Sequence, residues 1–312
     1  MAFHETQNVD CVWPLQASLG EGPIWSAAEN ALWFVDIFAK QIHRFKPADG
    51  SRQSWPAPAK VSFILPEAQG SFLVGLPGAV ARFHPVTGEF ETLARVEQAY
   101  PRNRLNDACV DPQGRLWFGT MDEQGQSRCA AFYRWGAEAE PVQVDTGYCI
   151  SNGPAFSPRG RSFYATDTLD RVIYRFAVSD DGELHHKQPF IQFQPEDGFP
   201  DGTTVDSEGC LWVAFYGGWS VRRFSPDGKL IQDVRLPCAN VTKLAFGGER
   251  LKTAFVTTAR DGLGPQDIAA QPLAGGLFCF DVEVPGLPQA QGRLRFGYHQ
   301  SESVRRDLKT PE

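Results

Sequence analysis

Six apolar cores recur along the chain, centred on Trp33, Leu73, Trp117, Phe163, Trp212 and Ala254, at gaps of 40, 44, 46, 49 and 42 residues. Eleven or twelve residues ahead of each core stands one recurring position, filled in turn by Glu21, Ser62, Asn106, Asn152, Asp201 and Lys243. Each unit reads as a short strand, a turn carrying Pro or Ser and then Gly, and a second apolar strand, as in Asn106-Asp-Ala-Cys-Val-Asp-Pro-Gln-Gly-Arg-Leu-Trp. A third strand follows, with apolar and polar residues alternating as a half-exposed strand requires: Ile42-His-Arg-Phe-Lys, Val80-Ala-Arg-Phe-His, Val172-Ile-Tyr-Arg-Phe and Val221-Arg-Arg-Phe-Ser. A period in the forties with several strands per unit predicts an all-β, six-bladed β-propeller, one domain over residues 1–312. Similar hairpins occur in β-sandwiches, but a register shared by six units does not follow from that architecture. The first strand of each blade lines the central channel, so the six recurring side chains are expected to converge around one axis. A surplus strand near Cys11-Val-Trp-Pro-Leu-Gln is expected to complete the last blade, formed by residues 242–281.

Composition narrows the function. With 42% hydrophobic residues, 8 Trp and 23 Phe the chain has ample material for a core, and the 30 Gly and 23 Pro suit many short strands joined by turns. A net charge of −7 without runs of like charge argues against nucleic acid, whose phosphates call for clustered Lys and Arg. The start, Met1-Ala-Phe-His-Glu-Thr-Gln, has neither a basic nor an apolar leader region, and the most apolar stretch, residues 61–81, is broken by Pro66, Glu67 and Pro77. The 7 cysteines lack any C-x-x-C pair and read as buried free thiols of a reducing compartment. The expectation is a cytoplasmic monomer that binds neither nucleic acid nor membrane. No nucleophile elbow or phosphate loop is present. The histidines form no site: His43 and His84 fall on outer strands, and His185-His186 reads as a solvated loop.

The ring carries the chemistry. Glu21, Asn152 and Asp201 offer two carboxylates and an amide oxygen, a hard donor set suited to a divalent cation with room left for water and substrate. Oxygen donors favour Ca²⁺, Mg²⁺ or Mn²⁺, while Fe²⁺ and Zn²⁺ stay open. Taken singly, each residue would read as an ordinary turn or strand cap. Gly22, Gly153 and Gly202, each following a ring residue, would let the backbone crowd the axis or adopt positive φ. Arg104 presents a fork of donors near the channel mouth, and Asn106 shares the ligand register. Strand alternation predicts that Asp107 points away from Asn106 into a structural hydrogen bond. Lys243 reads equally as a charge balancing the carboxylates or as a snorkelling surface lysine. Phe38, Tyr100, Tyr216 and Trp219 could shape the mouth, although core packing is the commoner fate of aromatic residues.

These stretches resemble the family of senescence marker protein (regucalcin), gluconolactonases and luciferin-regenerating enzyme, and among them look closest to bacterial sugar lactonases, including xylonolactonase-like members. The matching segments run from Leu19-Gly-Glu-Gly-Pro-Ile-Trp through Arg104-Leu-Asn-Asp, Gly119-Thr-Met and Ser151-Asn-Gly-Pro to Pro200-Asp-Gly and Gly275-Gly. The resemblance implies a six-bladed propeller with one divalent metal (calcium, zinc, manganese, magnesium or iron) held by Glu21, Asn152 and Asp201, and substrate contacts at Arg104 and Asn106. Some relatives place an acidic substrate ligand shortly after Gly-Thr-Met; Gln124 falls at the matching position, a neutral amide that alters the expected sugar preference. Together the ring and the resemblance predict a metal-dependent hydrolase opening glucono-, xylono- or arabinono-lactones, with Asp201 as general base. The alternative is a non-enzymatic, calcium-binding regulatory propeller; hydrolysis of phosphotriesters or aryl esters is a weaker rival, since it wants a more apolar pocket.

Overall fold

The computed structural model describes residues 8–67 and 70–294. Residues 1–7, on which the reading against a leader rests, lie outside them. The N-terminal strand is β1 (Asp10–Trp13), and the first blade comprises β2 (Gly20–Ser26), β3 (Ala31–Asp36), β4 (Gln41–Lys46) and β5 (Ser51–Pro56). The second holds β6 (Ile64–Pro66), β7 (Phe72–Leu76), β8 (Ala79–His84) and β9 (Glu89–Arg95), and the third β10 (Asn103–Val110), β11 (Leu116–Asp122), β12 (Ala130–Trp135) and β13 (Val142–Tyr148). The fourth is β14 (Ser151–Phe156), β15 (Ser162–Asp167), β16 (Val172–Val178) and β17 (Leu184–Gln192); the fifth is β18 (Phe199–Val205), β19 (Leu211–Tyr216), β20 (Ser220–Phe224) and β21 (Leu230–Arg235). The sixth takes β22 (Val241–Gly247), β23 (Thr253–Thr258) and β24 (Leu277–Asp281) and borrows β1, so its strand order is β22-β23-β24-β1. The expected closure is therefore present: Cys11 pairs with Phe278 and Asp10 with Cys279.

All six sheets are four-stranded antiparallel meanders, and neighbouring blades meet through their innermost strands, with β2 against β22 closing the ring. The six apolar anchors all lie on second strands and are buried. Each blade is hydrophobic on both faces there because it is packed between two neighbours, which is why the anchors read as unbroken apolar runs. Burying a side chain of that size stabilises the fold by roughly 1.5–3 kcal/mol. In blades 3 and 5 the turns joining first and second strands are held by aspartates. Asp111 accepts from the backbone N–H of Gln113 and Arg115 and from Trp117 Nε1 at 2.9 Å. Asp206 does the same for Glu208, Cys210 and Trp212 Nε1 at 3.0 Å.

The outermost strands are mostly exposed, and His185 and His186 belong to one of them, β17, rather than to a loop. Among the described residues one α-helix, α1 (Pro265–Ala270), sits in the connection between β23 and β24. Among the described residues no helix is long and apolar enough to cross a membrane. All seven cysteines are free thiols, three of them buried and four half-buried.

The start of each innermost strand defines the mouth of the channel, and its end the base. At the mouth the innermost strands of blades 1, 3, 4, 5 and 6 are irregular, with register shifts between Glu21 and Ile24, Leu105 and Ala108, Asn152 and Ala155, Pro200 and Thr203, and Val241 and Lys243. A bulge re-aims side chains and bends the strand. Here the bulges occur where the recurring ring positions face the axis.

Candidate active site

All six ring positions are buried inside the channel wall. The bulges require glycine in two different ways. Gly22 and Gly153 take φ of 54° and 53°, a region that a β-carbon disfavours. Gly202 has ordinary φ, but a β-carbon there would lie 2.4 Å from Lys243 Cγ and 2.8 Å from the Thr242 carbonyl oxygen. The stem of Lys243 passes through the space that Gly202 leaves.

Arg104 Nη1 donates to Asn106 Oδ1 at 2.7 Å and to the Leu105 carbonyl at 3.0 Å. The Asn106 amide nitrogen in turn donates to Asn152 Oδ1 and to the Ser151 carbonyl, both at 2.8 Å. Asn152 Nδ2 donates to Thr168 Oγ1 at 3.0 Å, whose hydroxyl reaches the carbonyl of Pro200, the residue before Asp201. One chain of hydrogen bonds thus runs from blade 3 through blade 4 to blade 5. Thr168 carried no signal in the sequence; only the folded contact shows its part.

Three expectations are corrected. The bulge after Leu105 cancels the simple alternation, so Asp107 turns into the channel with Asn106 instead of away from it. There it accepts from the backbone N–H groups of Ala108 (2.7 Å) and Gly153 (3.0 Å), and it pairs with the Lys243 ammonium of the opposite blade. Lys243 is accordingly a buried ion-pair partner spanning the axis, and the snorkelling reading falls. The aromatic residues of the mouth do not pack in the core: Phe38, Tyr100 and Trp219 are exposed, and Tyr216, partly buried, donates its hydroxyl to the Asp261 carbonyl at 2.6 Å.

Glu21 and Asp201 lack such compensation. Among the described residues Glu21 accepts one hydrogen bond, from the N–H of Gly22 at 2.8 Å. The Asp201 carboxylate, only 6% exposed, accepts none among the described residues. Burial, and then the charge of Asp107, pushes Glu21 up to about 7, with Lys243, the Gly22 N–H and Arg104 pulling the other way. Burial likewise raises Asp201 far above the usual carboxylate range, reinforced by the charges of Glu21 and Asp107. Arg104, fully enclosed, is held below its ordinary value by burial, against the charges of Glu123, Glu21, Asp201 and Asp261. Lys243 is also penalised by burial, but Asp107 outweighs that and raises it.

Two buried carboxylates, both with raised proton affinity and Asp201 raised further by the charge of Glu21, form a place short of positive charge, and the donors around it are hard oxygens. That chemistry fits a divalent cation with Asn152 as a neutral third donor. Among the described residues no three His, Cys, Asp or Glu side chains form a metal-holding group, so a cation held here would draw on the Asn152 amide as well.

Gln124 lies apart from this cluster. It is exposed on the turn after β11, where Asp122 accepts from the N–H of Gln124, Gln126 and Ser127, and its side chain takes a 2.9 Å hydrogen bond from Arg102. The residue that the same turn aims at Arg104 is Glu123, at 3.6 Å, and Glu123 also pairs with Lys60 at 2.6 Å.

Residues 19–260 match the family model described as SMP-30/Gluconolactonase/LRE-like region. The chain is 34% identical over 284 residues to a 6-deoxy-6-sulfogluconolactonase of Pseudomonas putida, covering 91% of this chain and 98% of that protein. A pentonolactonase of Haloferax volcanii is 33% identical over 285 residues, with 89% and 96% covered. Among solved structures, a calcium-binding regucalcin of Agrobacterium tumefaciens superposes with a TM-score of 0.88 at 27% identity, covering 92% of this chain and 98% of that one. With its six blades closed by the N-terminal strand and its polar ring set in bulges at one end of the channel, the chain belongs to the SMP-30/gluconolactonase/LRE-like family.

Proposed function

We propose that the protein is a sugar lactonase that opens aldonolactones such as glucono-, xylono- or arabinono-lactone to the aldonic acids, using one divalent cation held by Glu21, Asn152 and Asp201. The observation that carries this reading is the pair of buried carboxylates, Glu21 and Asp201, which form no direct ion pair among the described residues and lie beside the Arg104–Asn106 fork, with Arg104 and Lys243 offsetting their charge only in part. Relatives named as lactonases for sulfogluconate and pentonate lactones support lactone hydrolysis as the class of reaction.

A divalent cation bound there would supply Lewis-acid polarisation of the lactone carbonyl. The remaining work falls to the chain. Arg104 and Asn106 orient ring hydroxyls: Arg104 Nη1 is engaged by Asn106 and Leu105, which leaves other guanidinium N–H groups to donate to substrate. Gln124 adds an outer contact for a long exocyclic chain. Asp201 takes a proton from water as that water adds to the carbonyl carbon, and returns it to the ring oxygen when the C–O bond breaks. Its carboxylate is suited to this because among the described residues no hydrogen bond occupies it.

The test is a panel of the three lactones with purified protein, first stripped by chelator and then supplied with Ca²⁺, Zn²⁺, Mn²⁺, Mg²⁺ or Fe²⁺ in turn. Turnover lost with chelator and restored by one ion supports the reading. Rates equal to the uncatalysed reaction with every ion overturn it. The alternative, a non-enzymatic calcium-binding propeller, draws on the description of the Agrobacterium relative as calcium-binding. Calcium binding without turnover would favour it.

A further inference from the structure

The connections between second and third strands form the rim of the mouth, and their lengths are unequal. They span residues 37–40, 77–78, 123–129, 168–171, 217–219 and 259–276, so blades 3 and 6 carry by far the longest. These two blades face each other across the six-membered ring, as the Lys243–Asp107 pair also shows. Each long loop presents an acidic residue to the site. Glu123, fixed by the Asp122 turn and by its own N–H to the Arg102 carbonyl (3.1 Å), stands 3.6 Å from Arg104. Asp261, on the opposite loop, acts electrostatically on both Arg104 and Tyr216.

The position of Asp261 is built rather than incidental. Its carbonyl accepts from Tyr216 Oη (2.6 Å) and Asn240 Nδ2 (2.8 Å), and its N–H donates to the Ser18 carbonyl (2.8 Å). An exposed acidic residue is thus pinned from both neighbouring blades, and among the described residues it has no ion-pair partner. Glu123 is in part neutralised by Lys60, which itself lies over the ring of Phe38.

We propose that Glu123 and Asp261, facing each other on the two long rim loops, select uncharged polyhydroxylated lactones over lactones bearing an anionic exocyclic group, and hasten departure of the carboxylate product. This rests on the lactonase reading of the ring below them. Opening a lactone turns a neutral substrate into an anion, so an acidic rim discriminates between the two in the useful direction. A unit charge met across roughly 7 Å of water changes an equilibrium about threefold, and each extra charge multiplies the effect. Because Lys60 covers Glu123, Asp261 carries the larger share.

The test compares glucono-δ-lactone with 6-phosphogluconolactone on the metal-loaded protein. Wild type favours the neutral substrate. The double variant Glu123→Gln, Asp261→Asn raises kcat/KM for the phosphorylated lactone about tenfold, leaves glucono-δ-lactone within about twofold, and tightens inhibition by gluconate. Asp261→Asn alone gives the larger part, while Lys60→Gln moves selectivity the opposite way, and all these differences shrink in high salt. Parallel changes on both substrates, or no change on either, overturn the proposal. If wild type opens neither lactone with any ion, the lactonase reading falls separately. Calorimetric binding of gluconate and 6-phosphogluconate then decides the rim: tighter binding to the double variant sustains it, and equal binding overturns it.

Discussion

The two ends of the channel are built from the same innermost strands and differ in nearly every respect. At the mouth five of the six strands are bulged, and the side chains facing the axis are Glu21, Arg104, Asn106, Asp107, Asn152, Asp201 and Lys243. At the base the strands run regularly and border an open cavity of about 390 Å³ lined mainly by apolar residues such as Ile24, Trp25, Val110, Phe156, Phe246 and Leu287, with Thr203, Thr204 and Lys243 also in its wall. A C-terminal strap crosses that end: Gly286 N–H donates to Leu251 and Ser207 N–H to Pro285 on one side, and Gly292 N–H to Pro66 and Arg293 N–H to Gly114 on the other. Burying charges without counter-charge costs stability, whereas close apolar packing supplies it. The mouth is therefore expected to set the chemistry at the expense of folding, and the base to set folding with no bearing on chemistry.

The largest effect should come from Asp201→Asn. Removing the proposed base is expected to lower kcat about 10²–10⁴-fold. Thermal unfolding of the metal-free variant should occur at the same or a higher temperature, because a buried charge that opposes Glu21 is gone. Retained turnover, or lost turnover matched by lost folding, would undo the contrast between the two ends.

A pH titration probes the same cost. The folded-state value of Glu21, about 7, lies above its ordinary 4.5, so the folded chain holds more protons than the unfolded one between those values. Its penalty is absent below about pH 4.5 and complete above about pH 7, so metal-free protein should lose stability as pH rises through that window, by an amount on the order of 3 kcal/mol. A divalent ion bound to the carboxylates should flatten the slope. The midpoint of thermal unfolding, followed from pH 4.5 to 7.5 with and without metal, reads this out; a chelated protein that gains stability over the range contradicts it.

At the base, Gly286→Ala should act on folding alone. A β-carbon there would lie 2.2 Å from Phe246 Cβ, so either the strap or the ring must shift. Overpacking of this kind costs about 1–3 kcal/mol, while kcat per folded molecule should stay unchanged. Chemical denaturation paired with kinetics checks both halves of that statement.

Much of the base and of the ring was legible in the sequence because both obey one rule, the recurrence of an apolar anchor behind a ring position. Trp117 and Asn106, or Trp212 and Asp201, could be placed without knowing any contact. The fourth strands were not legible, since segments such as Ser51–Pro56 are exposed edges that no buried face obliges to alternate. Asp107 was misdirected because a bulge inserts a residue into the period, and period is all that a pattern offers. Glu123, one position from Gln124, needed the Asp122 turn to show which of them faces Arg104. Asp261 lies in an 18-residue connection, residues 259–276, that departs from the repeat altogether.

The smallest expected effect separates blades within the base itself. Trp117 and Trp212 each donate an indole N–H to an aspartate in the preceding turn, Asp111 and Asp206. Trp33, equally buried, has Nε1 without a partner among the described residues. The cause is local. The turn of blade 1, residues 27–30, is one residue shorter than residues 111–115 of blade 3, and the acid it supplies, Glu29, is taken by Arg44 at 2.8 Å. Arg44 lies over the Trp33 ring without meeting its N–H donor. Replacing tryptophan by phenylalanine should therefore cost more at positions 117 and 212 than at 33, by about 1.5–2 kcal/mol, the worth of one buried hydrogen bond with the relief of the unpaired donor at 33 added to it. Equal losses in denaturant titrations of the three variants would mean that the turn aspartates hold only their own backbone loops and add nothing through the indole.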